Sequence, residues 1–371
     1  MVDLVIVGGG PAGLATAIRA RQAGLSVQVL ERSRPPIDKP CGEGLMPDAV
    51  ARLREIGVDL AAAEARPFRG IRYHDDDGHT VAEGLFPGAG GWGVRRPYLH
   101  AALVRCAERA GVGLCWGVAA HGLAGGGVET SSGERLAARW IAGADGLHSG
   151  VRRWAGLAGK AVTRYRRFGV RRHYAREPWS DFVEVHWGPG CEAYVTPVGP
   201  RLVGIALLWA DAKRRFDDLL AHFPALAARL EGAPVASRDR GAGPLEQRVR
   251  AVCRGNVALV GDAAGYLDAI TGEGLAVALH QSAALVAALA GGDLAPYAAA
   301  HRRIGRLPGN LTALMLALEK RPWLRRRAVR ALAAEPALFS RLLGIHGRTL
   351  APRRLGMDGA LRLAWRLVVA S

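Results

Sequence analysis

The sequence predicts an α/β protein in which a Rossmann-like domain is interrupted by a mostly antiparallel β-sheet domain, completed further on, and followed by a helical tail. Three observations carry this. The chain opens on an apolar run, a glycine-rich turn, a helical stretch and a second apolar run. Residues 162–209 then alternate polar and apolar positions in long runs, and residues 256–289 return to strand, glycine-rich turn and helix. Parallel strands buried on both faces read as continuous apolar runs, whereas antiparallel strands covered on one face alternate. At 371 residues, 50% of them hydrophobic, the chain is globular and long enough for two joined cores.

In chain order, VDLVIVGGGPAGLATAIRARQAGLSVQVLE places a buried strand at 2–7, a helix at 12–23 and a second strand at 27–30. Gly8, Gly10 and Gly13 form G-x-G-x-x-G, and Glu31 ends the second strand 23 residues after the first glycine. Such glycines let backbone approach a pyrophosphate, the helix start offers free N–H groups, and the acid accepts ribose hydroxyls. A dinucleotide with free ribose hydroxyls is therefore expected. PYLHAALVRCAERA (97–110), led by Arg95 and Arg96, reads as an amphipathic helix, and 112–116 as a strand. Asp75 to Gly78 and Ser131 to Gly133 read as hairpin turns. IAGADG (141–146) is an apolar strand end followed by small residues and a carboxylate. The runs RRFGVRRHY, DFVEVHW, CEAYVTPV and RLVGIALLW supply the alternating strands, and 211–230 is helical. The domain bounds that follow are 1–160 with 245–305, including small β insertions near 68–95, then 161–244, then a basic helical region at 306–371.

The charge is 50 basic against 33 acidic residues, a net +17, and only Lys39, Lys160, Lys213 and Lys320 are lysines. From Lys320 to Ser371 there are 12 basic and 2 acidic residues. No nucleic-acid-binding pattern accompanies this charge, so nucleic acid is not an expected partner. The tail is expected to form helices from about Arg321, with Arg362 and Arg366 one turn apart beside Leu361, Ala364 and Val368. That pattern suits packing on the domain or lying on an anionic membrane. The five cysteines, Cys41, Cys106, Cys115, Cys191 and Cys253, are odd in number and never in a C-x-x-C pair, which argues against a disulfide framework and a metal site. With no cleavable leader and no apolar run of membrane-spanning length, a cytoplasmic protein is expected, peripheral to the inner face of the membrane if the tail binds lipid.

Together the N-terminal fingerprint, GADGLHSGVR and VGDAAGYLDAITGEG resemble the three FAD motifs of the class A flavoprotein monooxygenase and geranylgeranyl reductase superfamily. The resemblance spans about residues 1–290 and implies a para-hydroxybenzoate hydroxylase-like fold whose first domain binds FAD. It implies Gly8, Gly10, Pro11, Ala12, Gly13, Glu31 and Arg32 for the ADP half and Arg96 near the phosphate. Asp145 with Gly146, Gly261 with Asp262, and Gly272, Glu273 and Gly274 are expected along the rest of the cofactor, Asp262 on the ribityl chain. In the Gly-Asp motif Gly265 stands at the histidine place of the hydroxylases and Ala269 near their proline, so GDAAG and TGEG are closer to the reductases. PCGEGL resembles the reductases' loop beside the flavin ring, which brings in Cys41 and Gly42 as cofactor contacts and Glu43 as a positioning group. Glycines there let backbone lie against a flat ring, and the flanking prolines restrict the segment.

The chemistry expected from the resemblance is that of an FAD-dependent monooxygenase acting on a hydrophobic or aromatic small molecule. A reductase of isoprenoid or other C=C bonds is the alternative, and a non-catalytic lipid carrier a third reading. The W-x-W-x-I-P segment and early catalytic lysine of the halogenases are absent. With no second G-x-G-x-x-G in strand-helix context, the electrons are expected from NAD(P)H that visits transiently or from a reduced protein. Tyr194 and Pro197 align loosely with the reductases' substrate segment, and Glu43 and Trp209 join them as a tentative substrate pocket, with Trp92 and Trp187 as further aromatics. No residue identifies itself as a catalytic base; His186 and His280 are the candidates, and each reads as structural.

Overall fold

The structure, a computed structural model, describes residues 1–60, 64–162, 166–210, 214–356 and 366. The first sheet runs Cys253–Arg254, Val257–Leu259, Arg135–Gly143, Val2–Val7, Val27–Glu31, Gly113–Trp116, with the Ala120–Ala124 and Gly127–Thr130 strands extending Arg135–Gly143 as a meander. Five of the six strands on that path are parallel, from Val257–Leu259 across to Gly113–Trp116. Their apolar residues, among them Leu4, Val5, Ile6, Ile141 and Leu259, are fully buried because helices Pro11–Gln22, Arg96–Arg109 and Gly274–Ala290 pack around them. The predicted first helix and first two strands are thus observed within one or two residues of their expected bounds.

The second sheet has seven strands, ordered Arg240–Ala242, Arg167–Tyr174, Leu202–Ala210, Cys191–Gly199, Phe182–Gly188, Gly70–His74, Val81–Leu85. All neighbours are antiparallel except Phe182–Gly188 with Gly70–His74. The hairpin at 70–85, grouped by sequence with the first domain, is therefore hydrogen-bonded into the second sheet. A third, small sheet joins Gly44–Leu45, Gly91–Val94 and Ala65–Phe68. It lies hard against the second: a Cβ on Gly93 would stand 1.8 Å from the Pro197 carbonyl oxygen.

Because side chains alternate along a strand, the second sheet has two distinct faces. Val203, Ile205, Leu207 and Trp209 share one with Ala193 and Val195, covered by helices Phe216–Leu220 and Pro224–Leu230. The other presents Arg167, Arg171 and His173, cross-strand to Ala210, Ala206 and Gly204, together with Glu192, Tyr194 and Thr196. We call it the inner face, since it meets the first domain. Helices Pro322–Ala334 and Pro336–His346 pack over its far end, where Tyr73 stacks on Phe339 at 5.3 Å. Arg325 is buried there, donating to Asp76 at 2.6 Å and lying over the Trp187 ring. These two helices pack on the protein; Leu361, Arg362, Ala364 and Val368 lie outside the described residues.

Candidate functional site

The parallel strands deliver every glycine motif to one edge. Val2–Val7 leads into Gly8, Val27–Glu31 ends on the acid, Arg135–Gly143 runs into Asp145, and Val257–Leu259 into Gly261 and Asp262. In an open α/β sheet the crevice outside the strands' carboxyl ends is the ligand site. The glycines there divide by role. A Cβ on Gly8, whose φ is +112°, would stand 2.4 Å from the Ala144 carbonyl oxygen, and one on Gly13 would stand 1.9 Å from that of Gly8. Those two permit strand and helix to touch. A Cβ on Gly10, Gly42 or Gly272 would meet nothing within 4 Å, so these border open space. Helix Pro11–Gln22 begins at Gly10, and Gly274–Ala290 at Glu273, without a side-chain cap, leaving first-turn N–H groups for a ligand.

Glu31 is buried and holds the turn in shape, accepting from the Gly9 N–H at 2.8 Å and the Ser33 N–H at 2.9 Å. His100 supports the same turn. The Ile37 N–H donates to its Nδ1, so Nε2 carries the proton and donates to the Gly9 carbonyl at 2.9 Å. Burial depresses its pKa and keeps the ring neutral. Arg32 is exposed beside this end of the crevice.

Asp145 closes the start of helix Gly150–Trp154, accepting from the Ser149 hydroxyl, the Gly150 N–H at 2.7 Å and the Val151 N–H at 3.1 Å. The cofactor contact expected of Asp145 thus meets a carboxylate already engaged by its own chain. Arg152, in the same motif, donates to the carbonyls of Asp262, Ala263 and Leu147 and to Gln247. It ties the Asp-Gly motif to the Gly-Asp motif, a function its place in GADGLHSGVR could have signalled. Asp262 is half-buried; desolvation raises its pKa, and Arg96, Lys39 and Arg152 offset this in part. The Arg96 Nε is buried with no hydrogen-bond partner among the described residues.

The KPCGEGLMP loop is clamped from below. Glu43 is buried at φ +61°, a conformation disfavoured for a residue with a side chain. Its Oε1 accepts from the Arg96 N–H at 2.9 Å, and its Oε2 lies 2.6 Å from His173 Nε2. Arg171 Nη1 stands 2.9 Å from His173 Nδ1 and can only donate, so His173 Nε2 carries a proton and donates it to Glu43. Arg171, buried, also pairs with Asp38, and the Thr196 hydroxyl donates to the Gly42 carbonyl at 2.8 Å. Arg171 and His173 were not singled out from the sequence; their signal was the two-residue spacing of Arg167, Arg171 and His173 in RRFGVRRHY, broken only by Gly169.

Tyr194 lies on the inner face and donates to the Ile270 carbonyl at 3.0 Å. Trp209 is on the opposite face, stacked on Phe168, and Pro197 points the same way, beside Trp179 and Val203. These two are removed from the tentative pocket by the two-residue period of the strand. His186 stacks on His74 at 4.2 Å on that outer face, and His280 pairs with Asp48 at 2.7 Å. Where the inner face meets the loop after Asp262 and helix Ala295–Glu319, Met46, Phe68, Ile270, Leu208, Met315 and Leu316 pack into one apolar cluster, beside the buried ion pairs of Arg167 with Glu192 and Asp268. Burial holds the Tyr266 phenol there well above its usual pKa, hence protonated. Glu273 is buried with both carboxylate oxygens lacking a hydrogen bond, 3.2 Å from His346 Nε2 on the last packed helix. Glycines bordering open space, uncapped helix starts and an unpartnered buried Arg96 Nε form a cradle that fits the expected FAD.

Residues 1–194 match the FAD binding domain family. Over 320 residues the chain is 29% identical to a menaquinone reductase of Mycobacterium tuberculosis, covering 79% of this chain and 78% of that protein. It is 27% identical over 300 residues to a digeranylgeranylglycerophospholipid reductase of Methanosarcina acetivorans, covering 74% and 71%. Among solved structures, a flavoprotein/dehydrogenase from Cytophaga hutchinsonii superposes with a TM-score of 0.82 at 17% identity, over 100% of this chain and 98% of that one. The halogenase PltM, solved with phloroglucinol and FAD, superposes with a TM-score of 0.78 at 16% identity, over 98% and 85%. The family match covers more than half of the sequence, and the cradle lies at the strand ends where such a domain holds its cofactor. The chain belongs to the FAD binding domain family and is an FAD-dependent oxidoreductase.

Proposed function

We propose that the protein reduces carbon–carbon double bonds of an isoprenoid or similarly apolar molecule. The observation that carries this is the clamped CGEG loop. Glu43 is held between the Arg96 N–H and His173, and Thr196 holds the Gly42 carbonyl, so Cys41 and Gly42 stay at the mouth of the crevice without a flexible hinge. The apolar cluster that joins Met46, at the end of this loop, with Ile270 and Met315 is a surface a hydrocarbon chain would pack against. Reductases recur among the curated relatives that align over most of the chain, whereas the likeness to halogenases concerns the fold.

Gly8, Gly10, Gly13 and Glu31 would hold the adenosine diphosphate half of FAD, Arg96 its phosphates, Asp262 the polyol, and Gly42 and Gly272 the ring. Bound FAD supplies the hydride for such a reduction. The Tyr266 phenol, kept protonated by burial, is a proton source this chain offers. NAD(P)H or a reduced protein would supply the electrons. The bounds 1–160 with 245–305, less the 70–85 hairpin that pairs into the second sheet, are proposed for the FAD domain, with the inner face of the second sheet as the substrate wall.

The test is product analysis with chemically reduced enzyme and polyprenyl substrates, without oxygen and under labelled oxygen. A saturated product formed without oxygen is expected. Labelled oxygen in the product would instead establish the monooxygenase that the sequence favoured.

A further inference from the structure

Helix Ala295–Glu319 has two unlike faces. One closes the site: Thr271, just before Glu273, is 3.3 Å from Thr312, Leu267 rests on Gly309, and Met315 and Leu316 join the apolar cluster. The other carries Arg303, Arg306, Asn310, Leu314, Ala317 and, just past the helix, Arg321, a spacing of three or four residues that keeps them on one stripe. Arg303, Arg306 and Arg321 are exposed. Leu314 is 54% exposed, and Trp323, at the start of the following helix, is 60% exposed with the Arg327 guanidinium over its ring. No acidic residue lies on the stripe.

We infer that this stripe, with Trp323 and Arg327, is a docking surface for an anionic lipid bilayer. An exposed tryptophan and leucine ringed by arginines is the composition that seats a helix at the headgroup boundary: the indole and leucine enter, and the guanidinium groups meet phosphates. A protein partner with an acidic segment would be expected to use a groove or a sheet edge, whereas this face is convex. No helix among the described residues is long and apolar enough to cross a membrane, so the contact is peripheral. The same helix lines the proposed substrate wall on its other side, which would put the apolar cluster of Ile270, Met315 and Leu316 next to the membrane. That last link rests on the proposed reductase reading; the docking itself does not.

The test is co-sedimentation of the FAD-loaded full chain with vesicles of phosphatidylglycerol and phosphatidylcholine, and with phosphatidylcholine alone, at low and moderate salt. Pelleting with the anionic vesicles, weakened by salt, is expected. Arg303→Gln with Arg306→Gln should lower partitioning by roughly fivefold per arginine, and Leu314→Ser with Trp323→Ala should lower it further, each variant keeping wild-type flavin content. No pelleting at low salt, or pelleting unchanged in both variants, overturns the inference. So does a dimer that only Leu314→Ser with Trp323→Ala dissociates, which would make the stripe an interface between copies. Since turnover is not read, loss of the reductase reading would leave the result standing.

Discussion

At the scale of single residues, the site separates groups that hold the chain from groups that face a ligand. Gly42 is of the second kind, because a side chain there meets no protein atom. Gly42→Val should therefore fold with an unchanged melting temperature while losing FAD content or turnover. Equal flavin content and equal turnover would make the loop an ordinary surface segment. Cys41→Ser should keep its flavin. Glu192 illustrates the first kind. It is fully buried beside Arg167, which also pairs with Asp268 at 2.8 Å, and Glu319 lies 3.8 Å from the same guanidinium. Burial raises its pKa to about 7, and Arg167 opposes that only in part. Between the ordinary carboxylate value of 4.5 and about 7 the folded state keeps a proton the unfolded chain has released, so stability falls as pH rises through that window. Melting temperatures at pH 5 and pH 8 should differ less in Glu192→Gln than in the wild type; equal slopes would refute the assignment.

At the scale of elements, two attachments hold the second sheet in register with its surroundings. The first is the Glu43–His173–Arg171 chain beneath the CGEG loop. His173→Ala leaves the Glu43 carboxylate buried with one partner fewer, which should destabilise the protein by about 2–4 kcal/mol and release the loop to proteolysis while the first sheet stays folded. Limited digestion that cuts near Cys41 in the variant alone would confirm this. The second is Arg325, which secures the helix Pro322–Ala334 to the 75–76 turn. Arg325→Met leaves the buried Asp75 without its cation while Asp76 keeps Arg326, and a loss of about 3 kcal/mol is expected, read as a lower denaturant midpoint. Arg326 also pairs with Asp76 but is half exposed, so Arg326→Met should change little.

At the scale of the whole molecule, acid should unfold the protein from its outer sheet face. His74 is held near 4 by desolvation and by its stacked neighbour His186, below its ordinary 6.5. At Glu184 desolvation acts upward, but hydrogen bonds from His186 and Trp179 prevail and hold it near 2. In both cases the unfolded chain binds protons first. The His74 contribution is lost as pH falls from 6.5 toward 4, and that of Glu184 from 4.5 toward 2. In a Glu192→Gln background, which removes the opposing Glu192 contribution between about 7 and 4.5, urea midpoints at pH 7, 5 and 3 should decline stepwise, and adding His74→Gln should flatten the first step only.

The first domain was legible in the sequence because its signals are local. Strand, glycine turn, helix and terminal acid lie within 31 residues, and the steric need for Gly8 and Gly13 follows from contacts between neighbouring elements. The alternating strands at 167–210 were legible for the same reason, since a two-residue period needs no distant partner to be read. What only the tertiary structure decided was which distant residues share a face. The 70–85 hairpin pairs with a strand about a hundred residues on, and strand order is chosen by which apolar faces cover one another. Tyr194 faces the site and Trp209 does not, although both sat in plausible aromatic strands, because their opposite parity across the paired strands sets them on different faces. The Glu43–His173–Arg171 clamp joins residues 130 apart in sequence. A charged side chain in a strand reads as solvent-facing until the fold supplies the buried partner that lets it stay inside.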